Sequence, residues 1–148
     1  MPGHRRAFTL IELMIVAVII GTGALFAMPK FVTIVNHARA NKAQSQVAAD
    51  MELAIALAQR EQRPTRLTFD SVGLSYQIAD RTNGAVYVKR TMDARSEYRL
   101  QSLTAHPSQL DFFPTGVTAG AETVWVAMPS YTRSIAVTSA GQVRMGNP

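Results

Sequence analysis

Glu12 is the residue whose chemistry is hardest to place. It stands inside Phe8-Thr9-Leu10-Ile11-Glu12-Leu13-Met14-Ile15-Val16-Ala17-Val18-Ile19-Ile20-Gly21, and from Leu13 to Met28 no side chain is charged. A carboxylate in such a run is costly unless it lies shallow, is neutralised or meets a cation. Shallow placement is the plainer solution, because Glu12 is only ~6 Å from Phe8 along a helix axis. The alternative is a cation brought from outside the segment. A second set of groups is basic: Lys89, Arg90, Arg95, Arg99, Arg133 and Arg144 suit phosphate contact or plain solvation. The histidines offer less. His4, His37 and His106 are too few and too scattered for a metal site. His106 with Ser108 and Asp111 lacks the glycine pattern of a nucleophile elbow. Gly21-Thr22-Gly23 lies within the apolar run, not between a strand and a helix, so it is no phosphate loop. These residues lead us to expect no enzyme, no metal and no cofactor.

The element that must hold Glu12 is apolar and N-terminal. Residues 1–7, Met-Pro-Gly-His-Arg-Arg-Ala, form a short basic flank, which stays cytoplasmic when an apolar run follows. The run from Phe8 reaches the roughly 20 residues that a membrane-spanning helix needs. A secretory signal peptide would want small residues after the run, where this chain has Met28-Pro29-Lys30-Phe31. Gly21, Gly23 and Pro29 make the stretch easy to loosen, because glycine lowers helix propensity and proline removes a hydrogen bond. Fifteen Lys and Arg against ten acids give a net charge of +5; without Arg5 and Arg6 the count is thirteen against ten, or +3. That is weaker than a dedicated nucleic-acid-binding domain usually shows. With no cysteine, the fold has no disulfide to rely on and must be stabilised by packing.

Beyond the run the period is helical. Val47, Met51, Ala54, Ile55 and Ala58 recur on one face, while Asn41, Lys42, Gln44, Asp50, Glu52, Gln59 and Arg60 fall mostly on others. The spacing predicts one helix of about 50 residues from Phe8, roughly 75 Å long, stopped by Pro64. Short β-like runs then follow at Thr65–Phe69, Leu74–Ala79, Ala85–Lys89, Tyr98–Leu103, Gln109–Phe113, Thr123–Ala127, Arg133–Val137 and Gln142–Met145. Asn83-Gly84 predicts a hairpin turn. Ala140-Gly141 predicts a second, with Ile135, Val137 and Val143 facing the core. The architecture expected is α+β, an open antiparallel sheet covered by the helix stripe, with a variable loop in the middle part, about 88–108, that includes residues 91–97.

Ala7 followed by Phe8-Thr9-Leu10-Ile11-Glu12-Leu13 resembles the processing site of type IV prepilins and type II secretion pseudopilins. The resemblance implies a pilin-like fold with a leader at 1–7, a transmembrane and assembly helix at 8–29, an amphipathic continuation at 30–63 and a globular β domain at 64–148. It also implies that prepilin peptidase cuts between Ala7 and Phe8 and methylates the new amine of Phe8. The family usually has Gly before the cut; here the residue is Ala7. Glu12 then matches the carboxylate that meets a neighbouring subunit's terminal amine. Residues 50–70 and 109–145 resemble the GspH/FimT branch. FimT-like pilins carry a Gly-Arg-x-Arg type motif, where this chain reads Gly141-Gln142-Val143-Arg144. The function implied is a minor pseudopilin, a structural subunit of a type II secretion pseudopilus. The alternative is a minor type IV pilin that binds DNA for natural transformation through Lys89, Arg90, Arg133 and Arg144. The partners implied are other pilins or pseudopilins, prepilin peptidase, the inner membrane, and secreted proteins or DNA. The place implied is the inner membrane, crossed once with the C-terminal domain in the periplasm, then a periplasmic filament.

Overall fold

Thr9 begins the first element by capping it. Helix α1 runs from Leu10 to Glu61, in a computed structural model that describes residues 8–129 and 131–146, without the side chains of Phe26 and Ala27. Two compact units divide the chain, one ending at Val35 and the other beginning at Asn36. In the first unit the apolar side chains of α1 are exposed, among them Leu10, Ile11, Leu13, Ile19, Leu25 and Phe31. Pro29 is accommodated inside the helix, at a position where it supplies no N–H. The hydroxyls of this stretch turn inward on the backbone: Thr22 donates to the carbonyls of Val18 and Ile19 at 2.9 and 3.0 Å, and Thr33 to that of Pro29 at 3.2 Å. That satisfies them without water.

In the second unit the helical period shows as burial. Ala40, Ala43, Val47, Met51, Ala54 and Ala58 are buried, and Ile55 packs against them. The small residues let strands approach closely. The helix ends before Pro64, not at it. Gln62 takes a left-handed conformation, with φ of 53°, and the Arg63 N–H donates to the Ala58 carbonyl at 3.3 Å, a Schellman-type closure.

Eight strands follow: β1 (Thr65–Asp70), β2 (Ser75–Asp80), β3 (Val86–Thr91), β4 (Ser102–His106), β5 (Gln109–Phe112), β6 (Glu122–Met128), β7 (Tyr131–Val137) and β8 (Val143–Gly146). They form two antiparallel sheets of four, ordered β3-β2-β1-β5 and β4-β6-β7-β8. The expected single sheet is therefore two. The short β4–β5 connection carries the chain from the second sheet to the first, and Ser108 in it accepts the Phe69 N–H at 2.9 Å. Inward residues of both sheets, including Leu67, Tyr76, Ile78, Leu103, Phe112, Val124, Val126 and Ile135, join the helix stripe in one core. Three further expectations change. Tyr98–Gln101 is not strand, although Tyr98 and Leu100 are buried; Met92, in the expected variable loop, is fully buried; and Gln44 and Asp50 lie inside.

Both predicted turns form, with left-handed Gly84 (φ 74°) and Gly141 (φ 75°). The β1–β2 turn is built by Asp70, whose carboxylate accepts the N–H groups of Val72 and Gly73 at 3.0 and 2.9 Å. Val72 at its tip is 97% exposed.

Candidate assembly site and basic surface

At the start of α1, Thr9 and Glu12 hold each other. The Glu12 N–H donates to the Thr9 carbonyl at 3.1 Å and to its hydroxyl at 3.4 Å, and the Thr9 N–H reaches back to a Glu12 carboxylate oxygen at 3.5 Å. This is a capping box, satisfying N–H groups that a helix start leaves open and placing a carboxylate at the positive end of the helix dipole. The Thr-x-x-Glu spacing announces it in the sequence. Among the described residues one long hydrogen bond, from the Thr9 N–H, engages the Glu12 carboxylate, so the cap leaves it room to accept a stronger partner. Phe8 is exposed, as is Glu12, while Ala7 and the rest of the expected leader, residues 1–7, lie outside the described residues. Gly21 and Gly23 have nothing within 4 Å of where a Cβ would stand, so no packing contact requires glycine at either position.

The four cations that sequence reasoning grouped for DNA fall on two sheets. Lys89 and Arg90 lie on β3, an edge of the first sheet; Arg133 and Arg144 lie on β7 and β8, at an edge of the second. Lys89 is exposed, beside a shallow polar cleft that it lines with Thr68, Asp70, Ser75 and Gln77. Arg90 is held by Asp50: Nε and Nη2 reach its two carboxylate oxygens at 2.5 and 3.2 Å. Arg133 stands over the Tyr131 ring at 4.6 Å and donates to Asn41 at 2.9 Å. Arg144 is exposed and donates to the side-chain oxygen of Gln142 at 3.2 Å.

Asp50 is the polar centre of the folded unit. Besides Arg90 it accepts the Tyr76 hydroxyl at 2.6 Å and the Gln46 amide at 3.1 Å. Burial first, then the bond to Asp50, pushes the Tyr76 hydroxyl far up, so it stays a donor. The pairing also raises the Arg90 guanidinium, chiefly through its hydrogen bond to Asp50. Gln44 plays a similar part nearby, donating from one amide nitrogen to the carbonyls of Ser134 and Gly146, both at 2.8 Å. It thereby ties α1 to β7 and β8. Glu122 contrasts with both. It is 1% exposed and neither carboxylate oxygen has a hydrogen-bond partner among the described residues; burial pushes its carboxyl up to about 8.

Two segments that resembled the same family, 110–116 and the final hairpin, meet in space. A Cβ on Gly141 would collide with the Gly116 carbonyl oxygen and lie 3.7 Å from Ile55. Glycine is thus required twice over at 141, by space and by its positive φ. His37 stacks on Tyr131 with ring centroids 3.6 Å apart.

The comparisons agree with this arrangement. A model of the prokaryotic N-terminal methylation motif matches residues 3–28. The fold is similar to that of the type IV minor pilin FimU of Pseudomonas aeruginosa, with TM-score 0.61 and 15% identity, covering 74% of this chain and 90% of that one. It is similar also to the minor pseudopilin EpsH from the type 2 secretion system of Vibrio cholerae, with TM-score 0.57, 13% identity, and 74% and 98% coverage. No curated protein matches by sequence. An N-terminal methylation motif thus leads into a fold similar to that of type IV minor pilins and pseudopilins.

Proposed function

We propose that this chain is a minor pseudopilin, a structural subunit of a type II secretion pseudopilus. Prepilin peptidase removes residues 1–7 on the cytoplasmic side and methylates the amine of Phe8. Until assembly, the apolar half of α1 anchors the subunit in the inner membrane with the folded unit in the periplasm. In the filament the same surface becomes the shared core, and Glu12 pairs with the terminal amine of a neighbour. A charge buried among apolar helices needs such a partner. Gly21, Gly23 and Pro29 make the helix easy to loosen as subunits pack. The observation that carries this reading is the methylation motif over residues 3–28, which contains Glu12 and the first turns of the exposed apolar helix. The role is structural, with no catalytic step of its own.

Mass spectrometry of the protein from its native membrane tests the reading. The expected N-terminus is Phe8 bearing one added methyl group; an intact Met1 overturns it. Glu12→Ala is expected to leave cleavage unchanged while removing the subunit from sheared filaments. A second reading, a minor type IV pilin that takes up DNA, draws on exposed Lys89 and Arg144. It predicts retardation of duplex DNA that weakens steeply with salt, and no retardation at low salt removes it.

A further inference from the structure

From Leu13 to Ala49 the chain carries no carboxylate, whereas Lys30, Arg39 and Lys42 carry positive charge. Arg39 and Lys42, three residues apart in α1, are neighbours on the helix surface. Tyr131 and Arg133 of β7 gather beside them through the His37 stack and the Arg133–Asn41 bond. Glu97 meets Lys42 at 2.6 Å, but both side chains are more than half exposed, and such a pair is weak and readily exchanged. No hydrogen bond or ion pair engages Arg39 among the described residues. Counted along a helix, Phe8 to Asn36 covers roughly 42 Å, the thickness of a bilayer with its headgroups. The collar that begins at His37 therefore comes where a helix spanning from Phe8 would reach the outer headgroups.

We propose that this basic collar, Arg39 and Lys42 with His37 and Arg133 beside them, docks the folded unit on anionic phospholipid headgroups. The inference rests on the membrane anchor proposed above. Charge complementarity and covalent continuity with the span favour lipid over nucleic acid. Each cation at a charged membrane surface strengthens attraction by roughly fivefold at moderate salt. The docked state holds the subunit against the bilayer, and assembly has to break that contact.

The chain has no cysteine, so Ala38→Cys on the exposed face of α1 gives a single nitroxide site. The full processed chain is placed in nanodiscs of phosphatidylcholine, with or without about a third phosphatidylglycerol. Collision of the label with a water-soluble nickel chelate is then read. The expected result is a fall of roughly twofold or more in the anionic discs, reversed by about 0.5 M salt, where the screening length is only a few ångströms. Adding Arg39→Gln and Lys42→Gln is expected to abolish the fall. Equal collision rates in both discs, with the chain still resisting alkaline carbonate extraction, overturn the docking and leave the anchor standing. Loss of the chain to carbonate overturns the anchor and the docking with it. A fall that survives both salt and the double variant also overturns the assignment, as does protection of the label by added duplex DNA but not by anionic lipid.

Discussion

The two halves of α1 are one helix in two solvents. Up to Val35 the large apolar side chains point outward, and the few hydroxyls bond to the helix's own carbonyls. From Asn36 half of the buried positions are alanine, joined by Val47, Met51 and Leu57, and two polar residues lie among them. The first half offers its hydroxyls partners within a turn, as surroundings without hydrogen bonds require. The second half is covered by strands, so Gln44 and Asp50 are satisfied by groups tens of residues away in sequence. The difference teaches that helix composition reports the neighbour: bulky residues where lipid or another helix must fill the space, small ones where a sheet comes close.

Substitutions that act on one half and spare the other test this contrast. Asp50→Ala strands the Arg90 guanidinium and the Tyr76 hydroxyl; the expected loss is about 3 kcal/mol or more. Urea unfolding of the detergent-solubilised chain measures it, and membrane retention is expected to be unchanged. Glu122 gives a pH dependence of opposite sense to a salt-bridged acid. Below pH 4.5 both folded and unfolded chains carry its proton, and between 4.5 and about 8 the folded chain keeps it while the unfolded chain releases it. Its contribution is therefore fully present in acid and lost as pH rises toward about 8. Glu122→Gln is expected to flatten that slope, raising stability at pH 8 by about 2 kcal/mol relative to the parent. Tm followed from pH 5 to 8 checks it, and an unchanged slope contradicts it. Gln44→Ala should cost about 1–2 kcal/mol and free the β8 edge, read as faster amide exchange in 143–146 than elsewhere. Gln62→Gly relieves a left-handed residue at the helix end and should add about 0.5–1 kcal/mol. Gly21→Ala, in the open half, should leave unfolding of the folded unit unchanged.

Much of this was legible in the sequence, for reasons that are local. The stripe at Val47, Met51, Ala54 and Ala58 and seven of the eight strand runs follow from period and turn residues, and the hairpins from Asn83-Gly84 and Ala140-Gly141; the run expected at Tyr98–Leu103 overlaps β4 only at Ser102 and Leu103. The split into two sheets was not, because β1 pairs with β5 across some 40 residues of chain and no local pattern encodes that choice. Asp50 read as a solvent-facing acid for the same reason: Tyr76 and Arg90 lie 26 and 40 residues onward. Tyr98, Leu100 and Met92 are buried without forming strand, so burial there has no period to betray it. The Glu12 cap was the opposite case. The bonds join residues three apart, so the Thr9-x-x-Glu12 spacing alone encodes it.

The β1–β2 turn has a practical consequence. Asp70 fixes the backbone through two N–H groups, and Val72 projects from the tip with almost its whole surface in water. Rigid base, bare tip and a chain without native thiols make Val72→Cys an attachment handle for a dye. A probe there would allow single subunits to be followed by microscopy, without touching the helix, the core or the paired sheets.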